Sequence, residues 1–225
     1  MVQGPGNRRR PICSKICSLL ICLTKEPSKY KEISPKIEYW IEYVLREGFA
    51  TVDELVEGVS VVAWDDGGSF ESVGRFLKEF RDAPHRSEQA RSFVAQLCPY
   101  VLRWFAVASV EDLWSTGISS EISYRGVPGF MRAAAFVGHN IRWDLLSNDL
   151  VRQHLIKPLI NHHNNEEDNR SAEAVRANAI YQLFTAAGNT LLQGLLEVED
   201  VQVCFEIFNS RCLWIRGFDS SKLQV

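Results

Sequence analysis

The stretch that decides the fold is Pro128–Leu145, which reads PGFMRAAAFVGHNIRWDL. Its apolar residues recur at steps of three and four, the spacing that places side chains on one face of an α-helix. Proline is tolerated in the first turn of a helix, so Pro128 marks the beginning. The small residues Ala133–Ala135 and Gly138 let a second helix approach closely. We therefore predict a helix here, packed tightly against a neighbour. The apolar positions are Phe130, Ala134, Val137, Ile141 and Leu145.

Helical signals also fill the chain before this stretch. Ser34-Pro35 predicts the start of one helix and Gly48 its end. Thr51-x-x-Glu54 is a capping box that opens the next helix. The run Val59–Trp64 is rich enough in β-branched residues for a strand, but the capping box favours a helix.

A longer helix is predicted after Ser87, which can cap it. Its apolar stripe runs from Ala90 to Phe105 at helical spacing. Pro99 lies inside this stripe and lacks a backbone N–H, so we expect a kink or a break there.

Together these signals predict an all-α chain of about nine helices joined mostly by short loops. Consecutive helices with short connections pack antiparallel, so we expect an antiparallel stack of helical hairpins, an α-solenoid of the HEAT or armadillo type. No clean sequence repeat is visible, so the helical pattern alone carries this prediction. We divide the chain into a disordered basic N-terminal arm (1–12), an N-terminal helical part (13–114), an irregular connector (115–127), a C-terminal helical part of the same domain (128–209) and a tail (210–225).

The composition is that of an ordinary globular protein. The chain has 225 residues, of which 46% are hydrophobic and 24% charged, and its net charge is −3. The charge is uneven, because residues 1–36 carry eight basic and two acidic side chains. A basic arm of this kind can contact RNA, a membrane surface or the rest of the chain, and its simplest interpretation is a solvated arm.

The cysteines and the short apolar run near the N-terminus bear on the cellular compartment. Six cysteines are present without a C-x-x-C pair, which favours reduced, mostly buried thiols and an intracellular protein, cytoplasmic or nuclear. Residues Ile16–Leu23 follow an arginine run, but no signal-peptide cleavage site follows them. We predict a short packed helix over 14–24, with a signal peptide or an acylated-cysteine anchor as the alternative. No stretch reaches the ~20 apolar residues of a membrane span.

Motifs of catalysis are missing from the sequence. It has no Gly-x-Ser-x-Gly, no P-loop and no Gly-x-Gly-x-x-Gly. His162 and His163 precede the acidic run Glu166–Asp168, which we interpret as a solvated loop rather than a metal site. We therefore predict that the chain is not an enzyme, with no catalytic residues, cofactor, metal or small-molecule substrate.

Three segments between residues 126 and 196 resemble a known family. They are GFMRAAAFVGH at 129–139, DLVRQHLIKPL at 149–159 and AIYQLFTAAGNTL at 179–191. This order of helices resembles the middle domain of the translation-initiation scaffold factor 4 gamma and its HEAT/armadillo-type relatives. The resemblance covers under one third of the chain. It implies a helical-repeat scaffold in an RNA-linked complex, and we carry over no contact residues from it.

These observations leave three hypotheses. The first is a non-enzymatic scaffold or adaptor that binds protein partners, with an RNA-related complex as one setting. The second is an RNA-binding module that uses the basic arm and one helix corner, where a tryptophan between two arginines can stack on a base; the same tryptophan can instead staple the corner. The third is an enzyme of unrecognised class. The candidate partner- or RNA-binding residues are Arg142, Trp143, Arg152, Arg8, Arg9 and Arg10.

Overall fold

The computed structural model describes residues 6–64, 68–107, 126–151, 153 and 170–188. This part of the chain contains eight α-helices and no strand. The predicted all-α class is therefore confirmed, while the described helices number eight rather than about nine. The helices are α1 (Gly6–Lys25), α2 (Tyr30–Arg46), α3 (Val52–Ser60), α4 (Glu71–Asp82), α5 (Glu88–Val107), α6 (Gly126–Arg142), α7 (Asn148–Val151) and α8 (Arg170–Ala187), with 3₁₀ turns at Pro27–Lys29 and Val61–Trp64.

Several predicted helix ends are confirmed. The capping box is formed, since Glu54 N donates to Thr51 Oγ1 (3.2 Å) and Thr51 N donates to Glu54 Oε2 (2.9 Å). The segment after it is helical, as expected. Gly48 ends α2 with a φ of 65°, in the left-handed region that favours glycine. Ser87 Oγ accepts from Ala90 N at the start of α5.

The predicted start of α2 is wrong. The helix begins at Tyr30, directly after a 3₁₀ turn, and Pro35 lies inside it. Proline has no N–H to donate to the carbonyl of Lys31, so this turn lacks one backbone hydrogen bond. Burial of Ile33, Ile37 and other apolar residues on one face of α2 offsets that loss.

Two other predictions about irregular backbone also differ from the structure. Residues 6–12, which we expected to be disordered, form the first turns of α1. Arginine is a good helix former, so Arg8–Arg10 can extend a helix that is packed further along. The predicted break at Pro99 is absent, because α5 runs from Glu88 to Val107, and a kink at this proline stays a prediction.

The helices of the described residues share one apolar core. Helix α1 lies against α2, α3 and α4, whereas α3 packs mainly on α5. Helix α6 contacts α4 and α5 and packs most extensively against α8. The largest fully buried side chains include Leu20, Phe70, Phe76, Phe80 and Phe93.

Close approach of α6 and α8 depends on glycine. A Cβ atom on Gly138 would lie 2.5 Å from the carbonyl oxygen of Leu183 and 2.7 Å from Ala186 Cβ. Gly138 therefore lies against a neighbouring helix, as the sequence predicted.

Other predictions fall outside the described residues. They concern most of the connector 115–127, whose last two residues begin α6, and the loop 162–169. They also concern the end of the C-terminal helical part, the tail 210–225 and the cysteines at 204 and 212. Among the described helices, none combines the length and the apolar character that crossing a membrane requires.

Candidate functional site

Four aromatic rings lie together at the C-terminal half of α2 and just after it. We call Tyr39, Trp40, Tyr43 and Phe49 the aromatic platform. The rings of Tyr39 and Tyr43 are stacked, with centroids 5.7 Å apart and an interplanar angle of 10°. Trp40 is nearly perpendicular to both tyrosines, at centroid distances of 5.6 and 5.8 Å, and Phe49 lies 5.5 Å from Tyr43.

The platform faces solvent on one side and the core on the other. Tyr39 is 58% exposed, the highest value among the large hydrophobic side chains described. Trp40 and Phe49 are half-buried and pack against the core. Tyr43 is half-buried as well and contacts the other three rings of the platform.

The end of α2 positions Phe49. Phe49 N donates to the carbonyl of Val44 (3.0 Å) and Gly48 N donates to that of Leu45 (3.2 Å). This pair of hydrogen bonds around a left-handed glycine is the Schellman motif, which turns the chain back onto the helix. The reversal brings the Phe49 ring against Tyr43.

Helix α2 is fixed to the neighbouring elements along its length. Glu38 forms an ion pair with Arg86, and Glu42 accepts hydrogen bonds from the backbone N and the hydroxyl of Ser87. Near the start of the helix, the Tyr30 hydroxyl donates to Glu79 (2.5 Å). The platform is therefore carried on a helix whose orientation is held at several points.

The charged side chains beside the platform are in ion pairs. Lys36 Nζ lies 2.8 Å from Glu32 Oε1, and Arg46 Nε lies 3.1 Å from Glu47 Oε1. The hydroxyls of Tyr39 and Tyr43 make no hydrogen bond to another described residue. The exposed surface of the platform thus combines ring faces, polar groups without a partner among the described residues, and neutralised charges at its edge.

A second cluster contains two of the residues that the sequence singled out. We call Glu71, His139, Arg142, Trp143 and Asp144 the α4–α6 corner. The Trp143 ring lies against Gly74 of α4, so closely that a Cβ atom on Gly74 would lie 2.5 Å from Trp143 Cδ1. The indole Nε1 is buried without a hydrogen-bond partner among the described residues. This packing leaves no room for a base between Trp143 and α4.

The cations of the α4–α6 corner face carboxylates. Arg142 is half-exposed, and its Nη1 lies 3.2 Å from Glu71 Oε2. The same oxygen lies 3.1 Å from His139 Nδ1. Asp144 has a φ of 55°, and Arg81 Nη1 donates to its carbonyl oxygen (2.7 Å).

The structure brings only part of the predicted site together. Arg142 and Trp143 are adjacent at the end of α6. Arg152 lies outside the described residues. Arg8, Arg9 and Arg10 lie in the first turns of α1.

Burial lowers the pKa of His139 below its ordinary value, and the Arg142 and Arg132 guanidinium groups lower it further, against the opposing effect of Glu71. A histidine pKa that is lower in the folded state than in the unfolded state means that the unfolded chain binds the proton more readily. The contribution of His139 to stability is therefore present above the ordinary pKa of histidine. It is lost as the pH falls through the lower pKa of His139 in the folded state.

We predict that the free energy of unfolding decreases as the pH falls below about 6.5. The variant His139→Gln should reduce the slope of this dependence on pH. Chemical denaturation at a series of pH values measures it. His85→Gln is the matched control, since it is a histidine at an exposed position. An unchanged slope in the His139 variant would contradict the prediction.

Cysteine and metal chemistry find little support in the described residues. The thiols of Cys13, Cys17, Cys22 and Cys98 are free, and burial raises the pKa of both Cys17 and Cys98 to about 12. A thiol with so high a pKa is a poor nucleophile. Within the described ranges, no group of three or more His, Cys, Asp or Glu side chains could hold a metal ion.

The aromatic platform was not among the predictions from the sequence, although a signal for it exists. Ile37, Ile41 and Val44 mark the buried face of α2, and Tyr39 and Tyr43 are four residues apart on another face. A pair of aromatic residues off the buried face of an amphipathic helix is a recognisable sign of an exposed aromatic surface.

Comparison with known proteins identified no relative: no family model matches the chain, and neither does any curated protein or any solved structure.

Proposed function

We propose that this chain is a non-enzymatic helical scaffold or adaptor that binds protein partners through the aromatic platform. The observation that carries the proposal is the stacked pair Tyr39 and Tyr43, outside the core and partly open to solvent. Tyrosine and tryptophan are enriched in protein interfaces and among the residues that dominate binding energy.

The rigidity of α2 supports this role. Contacts to Arg86, Ser87 and Glu79 fix the helix before any partner arrives. A surface that is already ordered loses less conformational entropy on binding. The platform can therefore contribute more of its contact energy to affinity.

The finer architecture we propose is an antiparallel stack of helical hairpins of the HEAT or armadillo type. The packing of α1 on α2 and of α4 on α5 supports it, since these helices are consecutive in the chain. The resemblance to the middle domain of translation-initiation factor 4 gamma adds the further proposal that the scaffold acts in an RNA-related complex.

Direct RNA binding by the α4–α6 corner is the less favoured function. Phosphate contacts need cations that are free to neutralise phosphates, which releases the counterions condensed on the nucleic acid. Arg142 already lies beside Glu71, and Trp143 is packed on Gly74. A strongly salt-dependent affinity for RNA that Arg142→Ala abolishes would reverse this preference.

The proposal is tested by affinity capture from a cell lysate with three forms of the full chain. These are the wild type, a platform variant (Tyr39→Ala with Tyr43→Ala) and a control variant, Tyr100→Ala. Tyr100 is a suitable control because it is also an exposed tyrosine, 40% accessible, but lies on α5. We expect proteins that the wild type and the control retain and the platform variant loses, by about tenfold or more, as for a hot-spot pair.

Circular dichroism of the three chains checks that the platform variant is folded, which we expect because neither tyrosine belongs to the buried core. Equal capture by all three chains would show that the platform is not the binding surface.

A further inference from the structure

We propose that the aromatic platform binds a proline-rich segment in the polyproline II conformation. This inference rests on the proposed function and specifies the partner: an exposed segment of another protein, rather than a folded domain or a nucleic acid. Three properties of the platform support it, namely its ring geometry, its hydrogen-bonding groups and its charge.

The ring geometry offers two differently oriented apolar faces. Tyr39 and Tyr43 are nearly parallel, whereas Trp40 stands at 78° and 86° to them. Proline-rich segments dock onto surfaces lined by aromatic rings, because the apolar pyrrolidine ring packs on a ring face. The polyproline II helix is already extended before binding, so little entropy is lost.

The polar groups of the platform complement such a segment. Tyr39 and Tyr43 hydroxyls and the Trp40 indole N–H can all donate, and none donates to another described residue. A polyproline II backbone exposes carbonyl acceptors that have no internal hydrogen bond, and proline has no N–H of its own. A surface whose donors find no acceptor among the described residues therefore fits a ligand that presents only acceptors.

The charges disfavour a nucleic acid at this place. Residues 30–47 carry three basic and four acidic side chains, so the surface has no cationic excess. The two cations beside the rings, Lys36 and Arg46, are paired with Glu32 and Glu47. Base stacking on aromatic rings is normally accompanied by a positively charged groove for the backbone, which the described residues beside the platform do not form. The acidic side chains of this surface do not repel a neutral or weakly basic peptide.

A second copy of this chain is also a poor fit to the platform. A stable dimer buries roughly 800 Å² on each partner. An aromatic side chain buries about 150–250 Å² when it is fully covered, and three of the four platform residues are already half-buried. The platform alone matches a short peptide better.

The test uses fluorescence anisotropy with the full chain and a labelled ten-residue polyproline peptide. A glycine–serine peptide of the same length and a ten-residue oligouridylate serve as comparison probes. We expect saturable binding of polyproline, weakened about tenfold by Tyr39→Ala with Tyr43→Ala. The Tyr39→Phe with Tyr43→Phe variant keeps the rings and loses both hydroxyls, so we expect a loss of about threefold. Tyr100→Ala should bind as the wild type does.

Absence of saturable polyproline binding up to about 1 mM, the weakest affinity of interest, would overturn the inference. So would equal affinity of the alanine variant, or equal binding of the glycine–serine peptide. Tighter binding of oligouridylate through Tyr39 and Tyr43 would assign the platform to RNA instead, and concentration-dependent sedimentation that the alanine variant abolishes would assign it to self-association. If polyproline fails while partner capture still depends on Tyr39 and Tyr43, only the class of ligand is wrong. If both fail, the proposed function fails as well.

Discussion

Replacing Phe70 with alanine should lower the free energy of unfolding by about 3–5 kcal/mol. Phe70 immediately precedes α4 and is almost fully buried. Its ring meets that of Phe136 edge-on at a centroid distance of 5.3 Å, and the Arg132 guanidinium lies over the ring, 4.3 Å from its centroid. The substitution removes these contacts and leaves a cavity at the junction of α4 and α6.

Guanidinium denaturation followed by circular dichroism measures this effect. Phe70→Leu should lower the free energy of unfolding by less than about 1.5 kcal/mol, because leucine keeps much of the volume of the phenylalanine side chain. Tyr39→Ala, in which an exposed ring is removed, should cost about 1 kcal/mol or less. A Phe70→Ala chain as stable as the wild type would mean that α4 and α6 do not meet at this ring.

The second large effect is expected at the contact between α6 and α8. Gly138→Leu should destabilise the chain by about 3 kcal/mol, the upper part of the range for overpacked cores. The first added carbon would already lie 2.5 Å from the Leu183 carbonyl oxygen and 3.1 Å from Ala187 N. These are backbone atoms, so the two helices must move apart and lose contacts along their length.

The matched control is Ala95→Leu, which adds a similar volume to an exposed position on α5 and should change the stability by less than about 0.5 kcal/mol. Equal denaturation midpoints for Gly138→Leu and wild type would contradict the close packing of α6 on α8.

Local signals in the sequence predicted local structure well. Thr51 and Glu54 form the expected capping box because all of its atoms lie within one turn. Gly48 ends α2 because a left-handed residue is needed there and glycine adopts it without strain. The buried positions of Pro128–Leu145 that the structure describes also follow the helical spacing.

Predictions failed where tertiary packing outweighs a local preference. Ser34 and Pro35 are residue types that favour the start of a helix, yet α2 begins at Tyr30. The hydroxyl of Tyr30 donates to Glu79 on α4. Pro99 has the composition of a helix break, yet α5 continues past it between the buried residues Cys98 and Val101. Neither outcome can be derived from the neighbouring residues alone.

The candidate sites show the same difference between local sequence signals and tertiary packing. Trp143 stood out because of its flanking arginine, but its contact with Gly74 joins two helices far apart in the sequence, so no local pattern reveals it. Tyr39 and Tyr43 lie on one helix, and their four-residue spacing could have been used. Whether they face solvent depends on how α2 packs against the rest of the chain.

The most direct test of the central claim is the solvent reactivity of the platform tyrosines, with and without a bound partner. Hydroxyl-radical footprinting of the full chain measures it residue by residue. Tyr39 should react readily in the free chain and become protected, together with Tyr43, in the complex isolated by capture, while Tyr100 stays unchanged. Equal reactivity of Tyr39 in the free and the bound chain would contradict the assignment of the aromatic platform as the binding surface.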